Sequence, residues 1–132
     1  MKNIKNFVGT ILLVILTACS SNSKFPVSTS TPAADITAKK GKDKQKNYTL
    51  EITADNLAKA DRLNPAGNNY SVWIVTTDNV VKNVGQLNVE NGKKTTFKTT
   101  TPFDFDQVFI TVENQGDLNY PKGIEISRTK IN

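Results

Sequence analysis

The stretch VFITVENQGDLNYPKGI, residues 108–124, decides how the C-terminal part of this chain folds. It begins with an apolar run of β-branched and aromatic residues, which is typical of an inner strand of a sheet. Glu113 ends the run, and a segment rich in Gly, Asp, Asn and Pro follows. A carboxylate at the exit of a buried strand can serve catalysis or ligand binding, but the backbone N–H groups of the next loop also need acceptors. We interpret Glu113 as such an acceptor, with Gly116 and Pro121 shaping the loop.

Strand periodicity recurs on both sides of this stretch. The predicted strands are NYTLEIT (47–53), YSVWIVTT (70–77), VGQLNVE (84–90), TTFKTTT (95–101), QVFITVE (107–113) and GIEISRTKI (123–131). In the second of these, Tyr70, Val72 and Ile74 fall on one face. Trp73 and Val75 fall on the other face, and apolar residues on both faces predict an inner strand.

Turn signals separate these strands every 8 to 15 residues. ENGKK, residues 90–94, is interpreted as a hairpin-type turn. ADNLAKADRL, residues 54–63, fits either a helical turn or a strand that continues into a long loop. The pattern predicts an all-β fold over residues 47–132, a sandwich of about six to seven antiparallel strands.

The N-terminus has the features of a targeting segment. Lys2 and Lys5 precede an apolar run of ten residues, 7–16, which is too short to span a bilayer since spanning takes about 20 residues. The run leads into Leu16, Thr17, Ala18 and Cys19, and Cys19 is the single cysteine of the chain. This tetrapeptide resembles the lipobox of bacterial lipoproteins. A plain secretory signal and a buried thiol are the alternatives.

The lipobox resemblance implies a location and a membrane partner. Residues 1–18 would be a signal peptide, and Cys19 would become the mature N-terminus with thioether-linked lipid. The protein would then be extracytoplasmic and anchored to a bacterial membrane, because two or more acyl chains give stable anchoring. Ser20 follows the cysteine instead of an Asp, which resembles the default sorting of Gram-negative lipoproteins to the outer membrane.

Residues 19–46 are predicted to be a flexible tether. Their Ser, Thr and Pro content and the run KKGKDKQK, residues 39–46, show neither strand nor helix periodicity. A flexible chain of this length has an r.m.s. reach of roughly 30 Å, enough to hold a domain clear of lipid head groups. The lysine-rich run is either a solvated spacer or a contact for anionic lipid or polysaccharide.

The basic charge of the chain lies in its signal segment and tether. The run 39–46 holds five lysines and one aspartate, whereas residues 47–132 hold nine basic and ten acidic residues. A nucleic-acid-binding domain would need a basic face with interleaved aromatic residues. We therefore expect no nucleic-acid partner.

Several residues resemble those of a known family. GNNYSVWIVTTDNVVKNVGQL and FDQVFITVENQGDLNYPKGIEI resemble the C-terminal extracytoplasmic domain of anti-sigma-K factors. The residues that match this pattern are Gly67, Tyr70, Trp73, Gly85, Thr111, Glu113, Gly116, Pro121 and Gly123. The resemblance implies an immunoglobulin-like β-sandwich. A lipoprotein signal stands where the family carries a sigma-binding segment and a transmembrane helix, so direct anti-sigma activity is not expected.

The residue inventory leaves little for catalysis. The chain has no histidine and residues 47–132 have no cysteine, so Ser-His-Asp, Cys-His and the usual zinc sites are excluded. Ser127–Lys130 matches the S-x-x-K pattern, but that pattern requires a helix N-terminus and here falls on a predicted strand. Asp104 and Asp106 are the remaining candidates for a hard cation, and they would share one face of an extended chain. No enzymatic activity and no cofactor are predicted.

The function predicted from the sequence is binding or sensing at the cell envelope, with an envelope protein as the partner. The alternatives are a structural lipoprotein without a ligand and a carboxylate-based metal-binding or hydrolytic domain. Most of the aromatic residues are expected in the core. Phe103, Phe105 and Tyr120 fall at predicted strand ends, where an exposed patch would favour binding.

Overall fold

The structure, a computed structural model, describes residues 20–90 and 93–132. Cys19, the lipobox and the predicted signal peptide lie outside these residues. The strands are β1 (Ser21–Lys24), β2 (Asp35–Lys42), β3 (Tyr48–Asp55), β4 (Asn69–Thr76), β5 (Val81–Leu87), β6 (Thr95–Thr101), β7 (Phe105–Glu113) and β8 (Ile124–Lys130). A single 3-10 turn spans Ala60–Arg62. No helix in the described ranges has the length and apolar character that a membrane crossing requires.

The strands form two antiparallel four-stranded sheets. The first has the order β1-β2-β3-β6 and the second the order β5-β4-β7-β8. The chain passes from one sheet to the other after β3, β5 and β6, which are the crossings of an immunoglobulin-like sandwich. The predicted all-β sandwich is confirmed, as are the inner positions of β4 and β7.

The sandwich has two ends, which we call basal and apical. The basal end holds the β2–β3 turn (43–47), the β4–β5 turn (77–80), the β6–β7 loop (102–104), the start of β1 and the end of β8. The apical end holds the connections 25–34, 56–68 and 114–123, together with residues 88–90 and 93–94. At the basal end the Thr77 N–H donates to the Asp104 carbonyl at 3.2 Å, which fixes the β4–β5 turn beside the β6–β7 loop.

The core lies between the sheets, and a smaller cluster lies on the outer face of the second sheet. Tyr70, Val72 and Ile74 of β4 belong to the main core. Trp73 and Val75 point the other way, as predicted, and they pack with Phe109 under the partly buried Leu118. β4 is therefore covered on both faces, which explains why it is apolar on both.

The prediction of a flexible tether over residues 19–46 is wrong for most of that range. β1 pairs with β2 and β2 with β3, so residues 20–46 extend the first sheet instead of linking it to a membrane. Phe25, Ile36 and Ala38 lie in the core with exposed fractions of 4%, 4% and 1%. Polar residues alternate with Ile36 and Ala38 along β2. Because Ala38 is small, the hydrophobic alternation of this strand is weak in the sequence. The sandwich therefore includes β1, β2 and the connection between them and does not begin at residue 47.

Three further expectations need correction or refinement. Residues 20–90 and 93–132 form eight strands instead of six to seven, because β1 and β2 come from the predicted tether. ENGKK does not close a hairpin, since β5 and β6 lie in different sheets. The stretch 54–63 divides between the end of β3 and a loop that contains the 3-10 turn.

Candidate functional site

Glu113 lies at the apical end of β7, and both oxygens of its carboxylate accept hydrogen bonds. The Gly123 N–H donates to Oε1 at 2.7 Å, and the Lys122 N–H lies 3.3 Å from both oxygens. The Thr111 hydroxyl donates to Oε2 at 2.5 Å. With 2% of its surface exposed, Glu113 is an acceptor for the following loop, as the sequence predicts. A carboxylate held in this way is not free to act as a general base.

The same hydrogen-bond chain continues to Trp73. The indole N–H of Trp73 donates to Thr111 Oγ1 at 2.8 Å, and Thr111 is 1% exposed. The Trp73 ring stacks on Phe109 with 6.1 Å between ring centroids. The Arg128 guanidinium lies 4.1 Å from the other partner in this stack, the Phe109 ring. Trp73, Thr111 and Glu113 thus form one buried polar chain that links β4, β7 and the loop 114–123.

Asn83 fixes the middle of that loop from β5. Its side-chain amide donates to the carbonyls of Gly116 and Leu118 at 3.2 and 3.0 Å. Its Oδ1 accepts the Gly85 N–H at 2.9 Å. Gly85 has φ +144° beside the register shift between β4 and β5, and a side chain there would meet the Phe97 ring. The bulge requires glycine at this position and aims Asn83 at the loop.

Two more residues of the predicted pattern complete the loop. Pro121, which has no N–H, precedes the two residues whose N–H groups bind Glu113. A Cβ on Gly123 would clash with the Val112 carbonyl and lie 3.0 Å from Glu113 Oε1. Glycine therefore allows the loop to approach β7 closely enough for this hydrogen bond.

Tyr70 serves the main core at the same end of the molecule. Its hydroxyl donates to the Ala58 carbonyl at 2.5 Å, which holds the 56–68 connection against β4. Burial, with a contribution from Asp61, raises the pKa of Tyr70 to about 12. The phenol therefore stays protonated at neutral pH and works as a structural donor.

A groove opens beside this network at the apical end. Its volume is about 330 Å³. It is lined by residues of the 56–68 connection, the end of β7, the 114–123 loop and the start of β8, namely Pro65, Ala66, Gly67, Val112, Glu113, Asn114, Gln115, Leu118, Lys122, Gly123 and Ile124. Two large apolar side chains are exposed at this end of the molecule. Tyr120, on the 114–123 loop, is 62% exposed, and Ile124, the first residue of β8, is 43% exposed.

The predicted aromatic patch is split by the fold. Phe103 is 46% exposed at the basal end, and Tyr120 is exposed at the apical end. Phe105 is fully buried and belongs to the core, so its inclusion in a patch is wrong. β7 begins at Phe105 with its side chain toward the opposite sheet, and this places it inside the sandwich.

Asp104 faces a lysine instead of an open cation site. Lys40 Nζ lies 2.6 Å from Asp104 Oδ1, donates to the Phe105 carbonyl, and sits 4.7 Å from the Phe105 ring centroid. Lys40 is only 9% exposed. Its hydrogen bond is the largest cause of the lowered pKa of the Asp104 carboxyl. Lys40 closes the basal edge between the two sheets and neutralises one of the two carboxylates proposed for a metal.

The second carboxylate, Asp106, has a buried Oδ1 with no hydrogen-bond partner among the described residues. It lies at the register shift between β4 and β7. No cluster of three or more possible metal ligands occurs in residues 20–90 and 93–132. In the S-x-x-K stretch, Ser127 lies on β8 as predicted, and its hydroxyl donates to the Pro26 carbonyl at 2.8 Å.

The structure thus brings the residues of the predicted pattern to the second sheet and its 114–123 loop, except Gly67, which lies in the 56–68 connection against Val112. Sequence reasoning missed Asn83, Lys40 and Phe25, all of which join distant segments. Asn83 lies two residues before a glycine in a strand, a spacing that signals a bulge. For Lys40 the signal is the alternation in β2, which the lysine-rich composition hides. Phe25 follows β1 in a Ser-, Thr- and Pro-rich stretch, and no local pattern marks it as a core residue. Comparison of the chain with models of protein families, with curated proteins and with solved structures gives no match.

Proposed function

We propose that this protein is a lipid-anchored, extracytoplasmic binding module of the bacterial envelope that carries out no catalysis. The apical groove with its exposed rim is the observation that carries the proposal. Tyr120, in the loop 114–123 that Glu113 and Asn83 hold in place, and Ile124, at the start of β8, both expose large apolar surface. Rigid exposed aromatic and aliphatic side chains around a groove are typical of protein-binding surfaces.

The proposed partner is another protein of the envelope. Ile124 lines the groove and is 43% exposed, and Tyr120, 62% exposed, lies on the loop whose residues line it. Apolar side chains that are exposed in this way would meet a protein surface, whereas a small-molecule site would enclose its ligand. The carboxylate that lines it, Glu113, already accepts hydrogen bonds from two backbone N–H groups and one hydroxyl. The proposed module therefore recognises shape and apolar area, and it has no direct anti-sigma activity.

Lipid attachment at Cys19 supplies the envelope location in this proposal, with the outer membrane as the destination that Ser20 at the next position favours. We expect the wild-type protein to fractionate with membranes and Cys19→Ala to appear in the soluble fraction. Mass spectrometry of the mature protein should show a lipidated N-terminal cysteine. Unchanged fractionation of Cys19→Ala would contradict lipid anchoring.

Site-specific photocrosslinking tests the groove. A photoreactive phenylalanine analogue at Tyr120 should give a discrete adduct of higher mass in intact cells, because Tyr120 stands on the proposed interface. Ile124→Asp should reduce that adduct severalfold. The same analogue at Lys98, exposed on an edge strand of the first sheet, is the matched control and should give no such adduct.

Two results would overturn the binding proposal. No adduct from Tyr120 in membrane-anchored protein would leave a structural lipoprotein as the function. An adduct that forms equally from Lys98 would show that contact with the groove is not specific.

A further inference from the structure

We propose that the basal end of the sandwich rests on the lipid surface that carries Cys19, with Phe103 and the β2–β3 turn in the head-group region. This inference depends on the proposed lipid attachment at Cys19 and specifies how the domain sits on the membrane. The contact is with lipid, and the apical groove faces away from it.

The length of chain before β1 determines the distance from the membrane. β1 begins at Ser21, and only Ser20 separates it from Cys19. Each extended residue spans at most about 3.6 Å, so Cys19 is within about 7 Å of Ser21. Ser21 pairs with Lys40, and β2 continues for two more residues to Lys42 at the basal edge. The lipid-bearing residue can therefore reach the basal edge and cannot lie far beyond it.

The basal end presents apolar side chains to the surface that Cys19 would occupy. Phe103 is 46% exposed in the β6–β7 loop, and Val80 is 47% exposed in the β4–β5 turn. Lys82 Nζ lies 4.2 Å from the Phe103 ring centroid. An exposed aromatic ring with a long cationic side chain beside it suits the boundary between head groups and acyl chains.

The β2–β3 turn adds positive charge beside this apolar pair. Lys42, Lys44 and Lys46 lie in or next to the turn, with Asp43 as its acidic residue. The Asp43 carboxylate accepts the N–H groups of Gln45 and Asn47 at 2.9 Å each, so it stabilises the turn. Lysines on such a turn attract anionic head groups. Contact with anionic lipid would give a role to the lysine run 39–46, which the structure shows to be part of the first sheet and its turn and not a spacer.

Some acidic residues at the same end offset the lysines. Asp78 lies in the β4–β5 turn, while Asp104 is held by Lys40. The short connection to Cys19 therefore carries the proposal, and the lysine-rich turn sets which part of the basal end approaches anionic lipid. Since β7 has nine residues, the apical groove would stand roughly 30 Å above the surface.

Fluorescence quenching tests the orientation directly. The lipidated full-length mature protein, carrying either Phe103→Trp or Tyr120→Trp, is reconstituted into vesicles of phosphatidylethanolamine and phosphatidylglycerol with brominated acyl chains. Trp73, which is fully buried in the wild-type structure, is present in both variants and should give a common background. We expect the added tryptophan at 103 to lose at least half its emission and the one at 120 to change little. Equal quenching at both positions, or none at 103, would overturn the proposal.

A matched pair of charge variants tests the turn. In the Phe103→Trp protein, Lys42→Gln, Lys44→Gln and Lys46→Gln together should reduce quenching about twofold. Lys59→Gln, Lys98→Gln and Lys122→Gln remove the same charge elsewhere and should leave it unchanged. Equal effects of the two sets would overturn the role of the turn.

Failure of the lipid attachment itself is recognised separately. If mass spectrometry shows a mature protein without lipid, the proposed anchoring fails and this inference fails with it. If the lipid is present and the tryptophan at 103 remains unquenched, the anchoring stands and only the basal contact is wrong.

Discussion

Glu113 shows how one buried carboxylate can organise a loop without an ion pair. It has no salt-bridge partner within 4.0 Å among the described residues, and its hydrogen bonds come from two backbone amides and a hydroxyl. Charge-assisted bonds of this kind are stronger than neutral ones. Because Thr111 also accepts a hydrogen bond from the Trp73 indole N–H, a substitution at Glu113 should alter the packing of Trp73.

Glu113→Gln should destabilise the fold by about 1–3 kcal/mol, because the new amide places a donor against the donors of the loop. Urea unfolding of the mature chain with Cys19→Ser, followed by tryptophan fluorescence, measures this loss and any red shift of Trp73. Glu125→Gln is the control, since Glu125 is exposed and pairs with Arg128 on the surface. That control should change stability by less than about 0.5 kcal/mol. Equal effects of the two substitutions would contradict the role of the Glu113 network.

β1, β2 and the residue that follows β1 contribute more to the core than their polar composition indicates. Ile36 and Ala38 of β2 face the core in alternation, and Phe25 enters it directly after β1. The edge strands of the two sheets also meet, through a hydrogen bond between the side chains of Ser23 and Thr129. The first sheet would lose half its strands without this segment.

Phe25→Ala should therefore cost roughly 3 kcal/mol, as expected for a large buried side chain. Val27→Ala, two residues away and 72% exposed, is the matched control and should have little effect. Both are measured by urea unfolding and by protease cleavage within residues 25–34, which Phe25→Ala should accelerate. If both variants behave like the wild type, the segment does not contribute to the core.

The six strands from residue 47 onward were predictable because branched and aromatic residues alternate there, although β5 (Val81–Leu87) begins and ends three residues before the predicted segment 84–90. The inner position of β4 followed from its two apolar faces, and the role of Glu113 followed from its place between a buried strand and a loop. β1 and β2 were not predictable, since Ile36, Ala38 and Lys40 form the inward face with only one large apolar side chain. Lys40 is also buried by partners distant in sequence, Asp104 and Phe105, which no local pattern reveals.

At the scale of the whole molecule, the two ends of the sandwich have different chemistry. The basal end combines the start of the domain with Phe103 and a lysine-rich turn, whereas the apical end holds the groove and Tyr120. Attachment through Cys19 and binding through the groove would then use opposite ends. In this proposed arrangement the strand length would set the height of the binding surface, because only Ser20 stands between Cys19 and β1.

The short connection predicts what a longer one would do. Inserting twelve Gly and Ser residues between Ser20 and Ser21 adds an r.m.s. reach of about 20 Å, so the basal end is no longer held at the lipid surface. In lipidated Phe103→Trp protein on brominated vesicles, the insertion should lower quenching toward the level at Tyr120→Trp, with membrane fractionation unchanged. The same twelve residues placed after Asn132 are the control and should leave quenching intact. Quenching that persists after the insertion would show that the basal end binds lipid by its own affinity and that the length before β1 does not set the position of the domain.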